Sequence, residues 1–279
     1  MSLTEDLRIK VISDCHIGLP GAAENDFHFS DEEFIQFLDY SRHSYDCVVL
    51  NGDLWELWES GTSKNQLERF NEVAAAHAPL FNYIRDHMAP PDIKSFTRHR
   101  NLFYVVGNHD SAAAKYNNLL FGGRVHSQVN LELPGGARIR ISHGHECDPV
   151  NFGRWAWVGR SITWCVGMLE RVVHRDADKH LEKRLAEDCL STSARTAFDF
   201  SRADIIVNGH THKPGVLRDG YKMRVYANSG CARGPTFIDD VVLHFNWRTH
   251  EITVISREYN VADKTFTVRS SETVQAKIF

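Results

Sequence analysis

The sequence predicts an α/β fold, one domain spanning residues 1–279 with a helical insert at roughly 150–202. Three observations predict it. Cys47-Val48-Val49-Leu50, Leu102–Val106 and Ile205-Ile206-Val207 are short, wholly apolar runs that end in Asn-Gly or Gly-Asn. Such runs read as parallel strands buried on both faces. Segments of helical periodicity separate the first of them, so the first half reads βαβα, whereas the last third alternates as antiparallel strands do.

The elements follow in order. Residues 8–13 (Arg-Ile-Lys-Val-Ile-Ser) alternate and form the first strand. Ser30-Asp31-Glu32-Glu33 is a capping pattern that opens a helix, with Phe34, Phe37 and Leu38 as its apolar face. Residues 65–88 read as one long helix, ending before Pro90-Pro91, which lack backbone donors. A further helix starts at Ser111. Val129–Leu133 and Ala137–Ser142 flank Pro134-Gly135-Gly136 as strand, turn and strand. Residues 151–200 read as helical throughout. Segments 222–227, 237–247 and 251–256 read as antiparallel strands. With no linker rich in Pro, Gly or Ser, the chain reads as a single domain.

Composition narrows the function. At 279 residues, 42% hydrophobic and 24% charged, the chain resembles an ordinary globular domain. A net charge of −4 argues against a strongly basic nucleic-acid binder, so no nucleic-acid partner is expected. Sixteen histidines direct attention to metal or acid–base chemistry. Six scattered cysteines without a CxxC pair suit buried thiols in a reducing cytosol. The N-terminus lacks a basic segment followed by an apolar stretch, and the chain has no run of about 20 apolar residues. A cytoplasmic location is expected.

Asp14-Cys15-His16, Gly52-Asp53, Gly107-Asn108-His109-Asp110, His143-Gly144-His145 and Gly209-His210-Thr211-His212 share one grammar. Each follows a strand, and ligands in α/β sheets collect beyond the carboxyl ends of strands. Carboxylates, an amide and imidazoles form an O/N ligand set suited to Mn, Fe, Zn or Co. One tetrahedral ion does not need seven strong ligands. Two ions about 3.5–4 Å apart, sharing a carboxylate, would use them all. Asp53 is the natural bridge.

This order of blocks resembles the signature of the calcineurin-like metallophosphoesterases. The resemblance implies a two-sheet β-sandwich flanked by helices. It implies that Asp14, His16, Asp53 and His212 hold one divalent ion and Asp53, Asn108, His143 and His210 the other, with Mn expected first. His109 would act as general acid or as a charge on the phosphate, oriented by Asp110. The reaction implied is hydrolysis of a phosphoester or pyrophosphate by a hydroxide bridging the ions. His145 could reach a metal, the substrate or only a polar neighbour.

Specificity is expected from the insert. Trp155, Val158, Ile162, Cys165, Leu169 and Val172 form one apolar stripe, and Trp157, Trp164 and Met168 a second. The second stripe allows burial by helix 179–200, a homodimer partner, a lipid or other apolar substrate group, or peripheral membrane contact. Trp157 and Arg154 are the candidate substrate contacts, and the partner is a phosphorylated small molecule or lipid-linked substrate. Leu54-Trp55-Glu56-Leu57-Trp58 resembles a run of the UDP-2,3-diacylglucosamine hydrolase branch, whose insert holds acyl chains. That branch typically has Arg where His109 stands and Asp where His145 stands. A nuclease of the same metal class and a non-catalytic docking scaffold are the alternatives.

Overall fold

Alternation along the first strand sets the layering. In β1 (Leu7–Ile12), Ile9 and Val11 face one apolar core, while Lys10 and Ile12 face the opposite side. The computed structural model describes residues 6–22, 25–57, 65–89, 101–133, 136–147, 179–220, 224–232 and 236–275, with the backbone alone at 147 and 179–189. After β1 come α1 (Asp31–Ser44), β2 (Cys47–Asn51), α2 (Gln66–Ala76), α3 (Ala78–His87) and β3 (Asn101–Val105). Then come α4 (Ser111–Lys115), α5 (Asn117–Phe121), β4 (Val125–His126), β5 (Gln128–Glu132), β6 (Arg138–Ser142) and α6 (Lys179–Phe200). The C-terminal part adds β7 (Ile205–Asn208), β8 (Gly215–Arg218), β9 (Val225–Asn228), β10 (Phe237–Asn246), β11 (Glu251–Asn260) and β12 (Thr265–Gln275).

The strands form two sheets, ordered β12-β11-β10-β1-β2-β3-β4 and β5-β6-β7-β9-β8. β1, β2 and β3 are mutually parallel in the first, and β6, β7 and β9 in the second. Val11, Val49, Val105, Ile141, Val207 and Ala227 fill the space between the sheets. Phe34, Phe37, Leu38, Phe70 and Ile84 of α1–α3 cover the outer face of the first sheet against Ile12, Leu50 and Tyr104. Ala194 and Ala197 of α6 cover the second sheet against Ile206 and Tyr226. This is the expected two-sheet sandwich flanked by helices. The wholly apolar strands are those covered on both faces, where no position meets water.

Local expectations met mixed outcomes. The Ser30–Glu33 capping box forms, with the Glu33 N–H donating to Ser30 Oγ at 3.2 Å and the Ser30 N–H donating to Glu33 Oε2 at 2.9 Å. The long helix at 65–88 is two helices. They break at His77, and Pro79 stands in the first turn of α3. A proline there lacks an N–H for the preceding turn. His77 bonds Asp31 Oδ1 at 2.6 Å and the Gly18 carbonyl at 2.8 Å, fixing the break against the β1 loop and α1. β9 is antiparallel to β8 but parallel to β7, so it belongs to the parallel half of the second sheet. β12 is an additional edge strand. Of the insert, α6 is helical as expected, whereas 148–178, with Arg154, Trp157, Trp164 and Met168, lies outside the described residues. No helix among the described residues is long and apolar enough to cross a membrane.

Candidate metal centre

The carboxyl ends of β1, β2, β3, β6 and β7 converge where the two sheets meet. Backbone bonds join their loops: Asp14 N–H to the Gly52 carbonyl (3.0 Å), His16 N–H to the Asp53 carbonyl (2.9 Å) and Gly209 N–H to the His143 carbonyl (2.8 Å). Asp14, His16, Asp53, Asn108 and His143 are buried, and the rings of His210 and His212 are partly open.

Three groups bring possible donor atoms within 4.8 Å of one another: Asp14/His16/His212, His16/Asp53/His109 and Asp53/His143/His210. Asp53 stands in two of them. His143 Nε2 lies 3.0 Å from Asp53 Oδ2 and 3.1 Å from Asn108 Oδ1, which places Asn108 beside the third group. His212 Nε2 lies 3.1 Å from Asp14 Oδ1 and 3.2 Å from His16 Nε2. All seven expected ligands therefore gather at one rim.

The outer nitrogens of two of the histidines are committed. His143 Nδ1 is bound to the Asn51 carbonyl at 3.0 Å and His16 Nδ1 to Glu56 Oε2 at 2.9 Å. An imidazole that donates through Nδ1 offers the Nε2 lone pair to a metal. Buried carboxylates, an amide oxygen and Nε2 atoms converging from both sides suit hard or borderline divalent cations. The donor set fits the ions that the sequence calls for.

The backbone shows what this convergence costs. Asp14, His16, Asp53, His210 and His212 have φ of 54°, 47°, 50°, 67° and 55°. Non-glycine residues rarely adopt this left-handed region, at about 1–2 kcal/mol each. Gly107 is required for a different reason, because a Cβ there would overlap the Asp53 carboxylate.

His109 stands in the second of these groups, and its backbone N–H donates to Asp53 Oδ1 at 2.8 Å. Its orientation corrects an expectation. His109 Nδ1 bonds Glu56 Oε2 at 2.7 Å. Asp110 is fully buried and accepts from Gly107 N–H (2.6 Å), Leu54 N–H (2.9 Å) and Tyr104 Oη–H (2.6 Å). Asp110 thus braces the β2 and β3 loops, and makes no side-chain cap bond to α4. Burial opposes a charge on His109, but Asp53 and then Glu56 outweigh it and raise its pKa to about 9. Burial raises Glu56 as well, yet His109 and His16 bring it down to about 2. Asp110 is pushed up to about 6, by burial first and then by Asp53.

Glu56 is the site residue that sequence reasoning missed. It is the one acid inside an apolar run, and that is the signal that could have found it. Its neighbours Leu54, Trp55 and Leu57 are buried, and Trp55 packs on Phe70 and Phe81 with centroids 6.0 and 6.1 Å apart. These three residues are core, while Trp58 lies outside the described residues. The His145 ring lies tilted to that of His143 and edge-on to that of His210, at 5.5 and 6.5 Å between centroids. Burial, then His143, lower its pKa to about 4, which keeps it neutral.

The family profile described as calcineurin-like phosphoesterase matches residues 7–214. No curated protein matches the chain. Among solved structures, the chain is similar to a conserved protein of Streptococcus pneumoniae TIGR4 described as a predicted phosphoesterase, at 16% identity and TM-score 0.43, covering 98% of this chain and 99% of that one. It is also similar to Vps29 of Entamoeba histolytica complexed with zinc, at 15% identity and TM-score 0.42, covering 96% and 98%. A phosphatase of Mycoplasma pneumoniae is similar at 12% identity and TM-score 0.35, covering 98% and 94%. With the profile spanning all five loops of the site, the chain belongs to the calcineurin-like phosphoesterase family.

Proposed function

We propose that the protein hydrolyses a phosphoester or pyrophosphate bond with two divalent cations, Mn²⁺ foremost. The observation that carries this reading is the position of Asp53, whose carboxylate belongs both to the His16/His109 group and to the His143/His210 group, with His16 shared in turn with Asp14 and His212. Asp14, His16, Asp53 and His212 would hold one cation, and Asp53, Asn108, His143 and His210 the other. Such a pair supplies Lewis acidity toward phosphate oxygens and lowers the pKa of water between its members.

The chain's own residues supply the rest. Glu56 holds the Nδ1 side of His109, so His109 Nε2 is the atom able to donate a proton to a leaving oxygen or bond a phosphate oxygen. Glu56 on the Nδ1 side favours the protonated ring, as does Asp53 where no cation takes up its charge. His145, neutral and beside His143 and His210, is placed to accept or donate a single hydrogen bond at the rim. The finer substrate reading is a nucleotide-sugar or lipid-linked pyrophosphate. It rests on the resemblance of the Leu54–Trp58 run and of the Trp-bearing insert to the UDP-2,3-diacylglucosamine hydrolase branch. Arg154 and Trp157 would be the contacts.

The test is a panel run with Mn²⁺: p-nitrophenyl phosphate, bis-p-nitrophenyl phosphate and nucleotide-sugar pyrophosphates with and without acyl chains. Failure on all of them sinks the enzymatic reading. Equal rates with and without acyl chains sink only the lipid-linked one. Asp53→Asn is expected to lose cation binding and turnover together. His109→Ala is expected to keep the cations and lose about 10²–10⁴-fold in turnover, as for removal of a general acid.

A further inference from the structure

The end of β9 supplies none of the expected ligands, yet it is bonded to two of the loops that do. β9 runs parallel to β7 with Asn228 level with Asn208, so its end emerges beside Gly209-His210-Thr211-His212. Asn228 and Ser229 are fully buried. The Asn228 amide donates to the Gly209 carbonyl and lies 3.1 Å from Thr211 Oγ1 and 3.3 Å from Tyr226 Oη. Its Oδ1 accepts from Gly230 N–H at 2.9 Å, which folds the following residues back.

From there the chain reaches the other sheet. Ser229 Oγ lies 2.7 Å from Ser13 Oγ and 3.1 Å from the Asn208 carbonyl, and Ser13 Oγ lies 3.2 Å from the Gly230 carbonyl, three contacts served by two hydroxyl protons. Ala232 N–H donates to the Asp14 carbonyl at 3.2 Å. Asp14 in turn accepts from His210 N–H at 3.0 Å. The contact is close: a Cβ at Gly209 would lie 2.5 Å from both Asp14 Oδ2 and Ser13 Oγ. One segment thus ties the β1 loop of the first sheet to the β7 loop of the second. Asp14, His210 and His212 all sit on those two loops in left-handed conformations that their own backbones do not favour.

We propose that Asn228 and Ser229 are positioning residues of the metal centre: the Asn228 amide fixes the His210–His212 loop, and the Ser229 hydroxyl sets its distance from the Asp14 loop. This rests on the two-cation reading above. Ser229 acts through Ser13, so the two hydroxyls form one unit. Donor atoms from opposite sheets must be matched to a few tenths of an ångström for one cation to be held from both sides. Loss of the bond that matches them weakens binding even when every ligand is present.

The test is Mn²⁺ binding to the full chain by calorimetry, with the electron paramagnetic resonance signal of a spin-coupled Mn²⁺ pair as a second readout. Ser229→Ala and Ser13→Ala should each weaken binding by about tenfold, the range set by one internal hydrogen bond. The double variant should be no weaker than either single one, and Ser229→Thr should restore binding. Asn228→Ala should lose the coupled-pair signal. Where Asn228→Ala does not fold, the serine variants decide. Unchanged Mn²⁺ affinity and an unchanged coupled signal in Ser229→Ala, whatever its thermal stability, overturn the inference. Wild-type protein that binds fewer than two Mn²⁺ overturns the two-cation reading, and this inference with it.

Discussion

Glu56 carries two duties on one oxygen. Its Oε2 accepts from His16 Nδ1 and from His109 Nδ1, so a single carboxylate holds an expected cation ligand and the expected proton donor. Both need the same tautomer, with the proton on Nδ1 when the ring is neutral. A glutamine could turn its one oxygen to both N–H groups, but without the negative charge that strengthens these bonds. Glu56→Gln is therefore expected to lower turnover by about 10–100-fold and to weaken Mn²⁺ binding as well, since outer partners of ligating histidines act on both. Turnover on p-nitrophenyl phosphate together with a Mn²⁺ titration checks this; wild-type values for both would show that Glu56 does not matter. Asp53 was legible in the sequence because Gly-Asp follows an apolar strand and four other blocks share its chemistry. Glu56 was not, because its role comes from His109, 53 positions away, reaching back to it. The same blindness assigned His109 to its sequence neighbour Asp110, whose bonds run to Gly107, Leu54 and Tyr104 instead.

At the scale of elements, the ligand loops are the unfavourable parts of the fold. Asp14, His16, Asp53, His210 and His212 hold φ between 47° and 67° just beyond strands that are buried throughout, Arg8 of β1 excepted. Rigid strands keep the loops in place, and bound cations would offset their cost by binding the folded chain alone. Added Mn²⁺ should then raise the unfolding temperature, and a chelator should lower it again. At a free concentration one hundredfold above Kd, linkage gives about 2.7 kcal/mol per site. The comparison is thermal unfolding with Mn²⁺ and with excess chelator; identical midpoints would argue against cation binding by these loops. The strands feeding these loops were legible because burial on both faces leaves an unbroken apolar run. The break in the helix at 65–88 was not. His77 fits a helical pattern, and what ends the helix there is partly a pair of distant acceptors, Asp31 and Gly18.

Across the whole molecule, the C-terminal strands join the parallel half through β1 and β10, and the join holds a buried charge cluster. β12 was invisible in the sequence for a physical reason. Phe266 packs toward the helices and Val274 into the sandwich, although both are even-numbered. The register shift opposite Ser256/Arg257 inserts Arg269 and moves the alternation to the other face, erasing the period of two. At the join, Lys10 of β1 is fully buried, 3.1 Å from Asp240 of β10 and 3.0 Å from Ser41 Oγ of α1. Its ammonium stands 4.0 Å from the ring centre of Phe37 and 4.9 Å from that of Phe266. Asp240 is also held by Arg257 through two bonds of 2.9 Å. Burial, only partly opposed by Asp240, lowers the Lys10 pKa from 10.5 to about 8. The unfolded chain therefore binds the Lys10 proton more tightly than the folded one, and stability rises with pH between about 8 and 10.5. Below that window the buried ammonium costs on the order of 3 kcal/mol, at about 1.4 kcal/mol per tenfold change in acidity. Lys10→Met removes this cost and leaves Asp240 its Arg257 partner, so at pH 7.5 the variant should be as stable as wild type or more so. Asp240→Ala leaves two cations facing each other and should lose about 3–5 kcal/mol. Denaturant unfolding of wild type and Lys10→Met at pH 7.5 and pH 10 decides the matter. Wild type should gain stability relative to Lys10→Met between the two, and a difference that is constant across them would mean that Lys10 keeps its proton in the fold.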